Sequence, residues 1–309
     1  MIDISNKQLP LKIIFWGYHF SGHETYLQLR KSLVFKVVGL VLPSNREHET
    51  ITTMQKDAEG AGIPVFRPDK LSDEKFVNQL AALKADLHFV DSYSKLIPKK
   101  IIDITGIGFN LHPGLLPQYR GAHVLNWVLV NGEKESGLSL HILTDKFDEG
   151  PVIAYAKTEI TLTDTAASLD KKLIKKIPEL INSLEQQIKS GKIEFQDQEG
   201  ESHHWPARTP KDGEILNTDT AMQAHNKVRA VSYPWNGAFI NKDGKKIVIW
   251  ESFPTERTSD GSGFIKKDSE LFYIGSDKKL LQIRSINQIG SEDYKPLTGE
   301  AMLKELKMN

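Results

Sequence analysis

Along the first part of this chain, apolar residues fall in short runs separated by stretches with helical spacing. The runs lie at 11–17 (closing in a glycine), 34–42, 63–66, 87–90 and 107–111. Between the first two, 21–33 carries Tyr26, Leu27, Leu29 and Leu33 at helical intervals, and 50–61, 73–83 and 98–103 read as further helices. Strands alternating with helices predict an α/β domain around a largely parallel sheet. Right-handed crossovers would gather the loops that follow the strands at one edge, where such sheets bind ligands.

Further on, 122–131 reads as a helix, and 137–143 and 152–160 alternate like an antiparallel pair. Thr163-Asp164-Thr165 caps a helix expected to run to about 190, with Leu169, Leu173, Ile177, Leu180 and Leu184 as a core-facing stripe. Residues 196–201 are polar throughout and read as a linker. Beyond them a helix over 219–231 precedes short runs at 238–240, 246–250, 271–274 and 280–286, set between Gly, Asp, Ser and Lys turns. That pattern predicts a smaller β-domain or barrel. The expected organisation is a larger domain over 1–200 and a mainly-β domain over 201–309. The chain carries no internal repeat and no low-complexity tract.

Composition narrows the function classes. A chain of 309 residues is long enough for one large core plus a smaller domain. Forty basic residues balance 40 acidic ones, which argues against a broad phosphate-binding surface. There is no Cys, which excludes disulfides, thiolate metal sites and thiol nucleophiles. The early apolar runs are broken by Lys12 and by Gly17-Tyr18-His19, too soon for a signal-peptide core or a membrane span. A soluble, cytoplasmic protein without membrane partners is expected.

The chemistry concentrates in two places. Asn110 and His112 stand two apart at the end of an apolar run, so in a strand both side chains point to one face. An amide donor beside an imidazole suits an oxygen that gains charge in a transition state. Thirty-six residues after His112, Asp148-Glu149-Gly150 places a carboxylate on a glycine-flanked loop, where it could orient the imidazole and raise its pKa. Taken singly, an Asn-x-His at a strand end is more often a turn or a satisfied core histidine, and an Asp before Gly is more often a turn residue.

Together these residues resemble the folate-dependent formyltransferases, whose catalytic Asn, His and Asp include a His in an H-x-S-L-L-P stretch. Here that stretch reads His112-Pro113-Gly114-Leu115-Leu116-Pro117, with Gly114 where the family more often has Ser. The likeness continues through Leu125-Asn126-Trp127-Val128-Leu129-Val130-Asn131-Gly132-Glu133 and Phe147-Asp148-Glu149-Gly150-Pro151. It covers nearly the whole chain, tightly over 107–153 and loosely from 240 on. The resemblance implies a Rossmann-like formyltransferase domain with a mostly parallel sheet, followed by a smaller C-terminal β-barrel-like domain. It implies 10-formyltetrahydrofolate as co-substrate, no metal, and Asn110, His112 and Asp148 as catalytic residues. The folate would be held largely through the backbone of two loops: Ser92, Tyr93, Lys95, Leu96 and Ile97 in one, Leu143, Thr144 and Asp145 in the other.

The acceptor amine is read from the same resemblance. The formyltransferase of initiator methionyl-tRNA carries a basic, Gly-rich loop after its second strand; here 42–50 is mixed in charge and lacks it. Tight RNA binding needs several phosphate contacts, and a neutral chain offers no obvious set. Residues 119–141 and Arg208-Thr209-Pro210-Lys211-Asp212-Gly213 are more similar to the sugar-nucleotide N-formyltransferases of polysaccharide biosynthesis. The expected partner is therefore an amino-sugar nucleotide, with Tyr119, Arg120 and Arg208 as substrate-binding residues, although the RTPxDG segment reads equally well as a rigid turn between domains. Nucleic acid is not expected as a partner, and there is room for a homodimer. Alternatives are a methionyl-tRNA formyltransferase and a 10-formyltetrahydrofolate hydrolase; relatives of the latter kind usually carry an N-terminal regulatory domain, for which a first strand near Leu11 leaves no space. Gly17-Tyr18-His19-Phe20-Ser21-Gly22 lacks the spacing of a phosphate-binding loop. His203-His204 reads as a surface pair, since adjacent side chains in an extended chain diverge.

Overall fold

The computed structural model describes residues 1–308. They pack as two compact units, one of 1–121, 137–158 and 172–204, the other of 122–136, 159–171 and 205–308. The last crossover between units falls four residues beyond the expected boundary at 200, and 122–136 and 159–171 pack with the C-terminal residues.

The first unit is built on a seven-stranded sheet. Its strands are β1 (Leu11–Gly17), β2 (Phe35–Val41), β3 (Val65–Phe66), β4 (Leu87–Asp91), β5 (Gly108–His112), β6 (Glu135–Ile142) and β7 (Val152–Glu159), in the order β3-β2-β1-β4-β5-β6-β7. The first five strands are parallel, and β6 runs antiparallel to β5. Strands and helices expected from the apolar spacing are found within a few residues, with α1 at His19–Lys31, α2 at Glu49–Gly60 and α3 at Glu74–Ala82. A two-residue strand at Ile2–Asp3, paired with Lys192–Ile193, precedes the strand that the sequence reading took as the first.

Strand order reverses between β1 and β4, the place where open α/β sheets form a crevice. Backbone approach there is close: a β-carbon on Gly17 would sit 2.0 Å from the carbonyl oxygen of Asp91. One face of the sheet sets Phe15, Phe89 and Phe109 side by side from three adjacent strands, the first pair stacked and the second edge to face. The other face buries Ile14, Trp16, Val90, Tyr93 and Ile97 under Phe76, Leu80 and Ile101. His88 lies within this core. It accepts from Trp16 Nε1–H at 3.1 Å on Nδ1 and faces the Ile101 carbonyl at 2.9 Å with Nε2, and burial pushes its pKa down to about 4.

Two expectations need correction. The single helix to about 190 is two helices, Ala166–Ile174 and Ile177–Lys189. Pro178 explains the break, because its ring lacks an N–H and collides with the carbonyl four residues back, at Ile174. The polar stretch 196–201 is no free linker: Gln196 pairs with Val152, and Gln198 is held in the site described below.

The second unit contains helices at Val124–Val130 and Ala221–Ala230 and a curled six-stranded antiparallel sheet. Its longest strand, Lys245–Thr258, is interrupted by register shifts, as expected of a strand that bends. The strand Gly263–Lys267 was not legible in the sequence: only Phe264 and Ile265 are apolar, and one of the two is half-buried.

Candidate active site

Sequence spacing alone places Asn110 and His112 on one face of β5, and the fold brings Asp148 to both. Because β6 is antiparallel, the chain leaves it at Ile142, opposite the start of β5, and must turn back for Asp148 to reach the end of that strand. Gly150 makes the return possible. A β-carbon there would lie 1.8 Å from the Ile142 carbonyl oxygen. Asp148 itself adopts the left-handed region at φ 56°, which Asp tolerates better than most residues.

Asp148 is 8% exposed, with its Oδ1 3.3 Å from Nδ1 of His112 and 3.4 Å from Nδ2 of Asn110. Its Oδ2 accepts from the Gly121 backbone N–H at 2.9 Å. Burial by itself would raise this carboxyl, but His112, His141 and the Gly121 N–H outweigh it and hold the group well below the ordinary carboxylate range.

His112 is 4% exposed and meets acceptors on both ring nitrogens, Asp148 at Nδ1 and the Tyr119 carbonyl at Nε2, 2.5 Å away. Such a setting suits an imidazolium, yet burial is the larger influence and pushes the pKa below its ordinary value. The expected upward shift by Asp148 is present but does not win. His112 therefore rests neutral near pH 7, with Nε2–H donated to Tyr119 and Asp148 placed to hold the ring if Nδ1 gains a proton. Asn110 is half-buried, the most accessible of the three.

Sequence reading missed two residues here. His141 is 1% exposed, accepts from Asn110 at 2.9 Å, and lies 3.6 Å from Asp148. The available signal was an imidazole between two apolar residues, Leu140 and Ile142, at the end of a strand. Gln198 carries no such signal. Its Nε2 donates to the carbonyls of Asp148 at 2.8 Å and Gly150 at 2.7 Å, and its Oε1 accepts from the Arg120 guanidinium at 2.8 and 3.0 Å.

Arg120 is thus turned toward Gln198, and Tyr119, 6% exposed, contributes its backbone oxygen to the cluster. The loop after β4 begins with Ser92 in a left-handed conformation, its hydroxyl on the buried Asp91 carboxylate. Tyr93 and Ile97 are buried, the Tyr93 hydroxyl has no hydrogen-bond partner among the described residues, Lys95 reaches the Asp69 carbonyl at 3.1 Å, and Leu96 is exposed. In the other loop, Leu143 packs on the core, Thr144 braces Lys146, and Asp145 is exposed. His203 and His204 are exposed, and His204 contacts the Phe147 carbonyl. Arg208 belongs to the second unit. It is 9% exposed, lies over the Trp127 ring, and gives Nη2–H to the Asp212 carbonyl, but its Nε and Nη1 have no partner among the described residues. A cavity of about 50 Å³ beside it is lined by Thr209, Gly213, Val231, Trp235 and Asn236.

A neutral imidazole, a carboxylate fixed in its charged form and an accessible amide within one buried cluster can stabilise an oxyanion and relay a proton. Comparison with known proteins agrees with that chemistry. Residues 22–183 match the Formyl transferase family and residues 208–307 its C-terminal domain. The bifunctional polymyxin resistance protein ArnA of Wigglesworthia glossinidia brevipalpis is 35% identical over 280 residues, which is 89% of this chain but 42% of that protein. Among solved structures, WlaRD, a sugar 3N-formyltransferase studied with dTDP and 5-N-formyl-THF, superposes with a TM-score of 0.69 at 17% identity, over 89% of this chain and 98% of its own. An N-formyltransferase from Helicobacter canadensis, in complex with folinic acid and dTDP-3-aminofucose, gives 0.68 at 18% identity, over 88% and 98%. HypX from Aquifex aeolicus, in complex with tetrahydrofolic acid, gives 0.62 at 19% identity, over 96% of this chain and 48% of its own. At these identities the structural likeness is one of fold.

Proposed function

Since the chain belongs to the formyl transferase family, we propose that it moves the formyl group of 10-formyltetrahydrofolate to the amine of an amino-sugar nucleotide. The amine attacks the formyl carbon, an oxyanion forms, the bond from carbon to the folate nitrogen breaks, and one proton travels from the amine to the departing nitrogen. Asn110 donates to the oxyanion. Asp148 accepts the amine proton, directly or through water, and passes it to Nδ1 of His112 as the ring gives up Nε2–H to the folate nitrogen, so both groups return to their starting charges. For His112 to act, the substrate must draw Nε2–H away from the Tyr119 carbonyl that holds it in the free enzyme.

The observation that carries the acceptor class is Arg208. A guanidinium that is 9% exposed with two unpartnered nitrogens is costly unless an anion completes it. The diphosphate of a nucleotide supplies that anion. The sugar N-formyltransferases of like fold support the same class. No helix among the described residues is long and apolar enough to cross a membrane. We place the reaction in the cytoplasm, in polysaccharide biosynthesis.

Turnover of 10-formyltetrahydrofolate against dTDP-, UDP- and GDP-amino-sugars tests the proposal, with methionyl initiator tRNA and water alone alongside. Tetrahydrofolate release with one sugar nucleotide is the expected result. Release with tRNA, or without any acceptor, would overturn it.

A further inference from the structure

Asn110 and His141 are direct cross-strand partners where β5 and β6 pair, so their side chains share a face. Three contacts fix how these two groups are arranged. His141 Nδ1 lies 2.8 Å from the Ile142 carbonyl oxygen, which only accepts, so the ring hydrogen belongs on Nδ1. The Nε2 of a neutral ring then carries a lone pair, and Asn110 Nδ2 stands 2.9 Å from it. Asp148 Oδ1, another pure acceptor, is 3.4 Å from the same amide nitrogen. Two acceptors on one atom leave a single orientation for the carboxamide, with its NH₂ turned toward them.

We propose that His141, with its ring hydrogen on Nδ1, is a positioning residue that sets the Asn110 amide for catalysis. It takes one of the two amide hydrogens in a short bond. The second hydrogen, whose bond to Asp148 is long, is the one released to the formyl oxygen as that atom gains charge. A donor held in place beforehand needs no reorganisation during the reaction, which is where such groups gain their effect. His112 and Asp148 are the other titratable groups facing this pair. The proposal rests on Asn110 acting as the oxyanion donor, but not on the identity of the acceptor amine.

Long-range ¹H–¹⁵N spectra of the histidine rings test it without any substrate. The expected spectrum places the ring hydrogen of His141 on Nδ1, with its Nε2 resonance shifting in Asn110→Ala. An Nε2–H tautomer, an imidazolium, or an Nε2 resonance indifferent to Asn110→Ala overturns the proposal. Kinetics supply the second arm. His141→Gln offers a side-chain oxygen near the place of Nε2, whereas His141→Leu offers no acceptor. His141→Leu is expected to lower kcat roughly ten- to a hundredfold while KM for the formyl donor stays within about twofold, as for a misplaced catalytic group. His141→Gln should recover most of that loss, and Asn110→Ala should add little in the His141→Leu background. Equal losses in the two His141 variants, or losses that multiply in the double variant, would contradict the role.

Discussion

Gly114 lies so close to His112 that a β-carbon on it would stand 2.9 Å from Nε2 and 2.7 Å from the Tyr119 carbonyl oxygen. This is the position where the sequence departs from the family's usual serine. Glycine leaves the space through which the Tyr119 carbonyl docks on the imidazole. Ser139, opposite His112 across the strand pair, holds the same loop by donating to the Gly114 carbonyl at 2.6 Å and accepting from the Leu116 N–H at 3.2 Å. Gly114→Ala should therefore displace backbone rather than a flexible side chain, and lower kcat by about a hundredfold, the scale of a 1 Å misplacement. Steady-state turnover with a thermal melt beside it checks this; unchanged kcat would mean that the carbonyl contact is dispensable.

Asp148→Asn keeps a residue that tolerates the left-handed backbone and removes only the charge. Turnover is expected to fall by roughly 10²- to 10⁴-fold. The charged form also stabilises the fold. Its folded pKa lies below the unfolded value of about 3.9, so the contribution is present above that value and disappears as pH falls through the folded pKa. Turnover near the wild-type rate in a folded variant would remove Asp148 from the mechanism.

Gln198→Leu should leave the Asp148 and Gly150 carbonyls and the Arg120 guanidinium without their shared partner. A loss of about 1–3 kcal/mol in urea unfolding is expected, the cost of stranded polar groups. Activity should fall with it, because the loop that presents Asp148 loses its anchor. Equal stability of variant and wild type would show that water replaces the amide freely.

Arg208→Met retains length and loses the charge. KM for the sugar nucleotide is expected to rise roughly tenfold or more, the scale of a lost charge-assisted contact, with KM for the formyl donor unchanged. A change confined to the donor would place Arg208 elsewhere in the reaction.

Stability should decline on mild acidification. His88 and His225 are both held near 4 by burial. Between there and the ordinary value of about 6.5 the unfolded chain binds protons that the folded chain refuses, so stability rises with pH over that window and falls as pH drops. The expected loss at about pH 5, relative to pH 7.5, is on the order of 2 kcal/mol per histidine. Urea titrations at the two pH values measure it, and a flat profile would mean that these rings are solvated.

Local spacing was enough to locate most of the first unit. The alternation of apolar runs and helical stretches placed β1 to β5 and α1 to α3, and the two-residue step from Asn110 to His112 put both on one face, because strand geometry is a property of the backbone alone. The motifs named the third member, Asp148, and the family. Tertiary structure decided what depends on residues distant in sequence. Antiparallel pairing set His141 opposite Asn110, a return turn on Gly150 carried Asp148 to His112, and a polar stretch that looked like a linker delivered Gln198. It also reversed the expected direction of the His112 pKa, since burial is a sum over neighbours that no local pattern records.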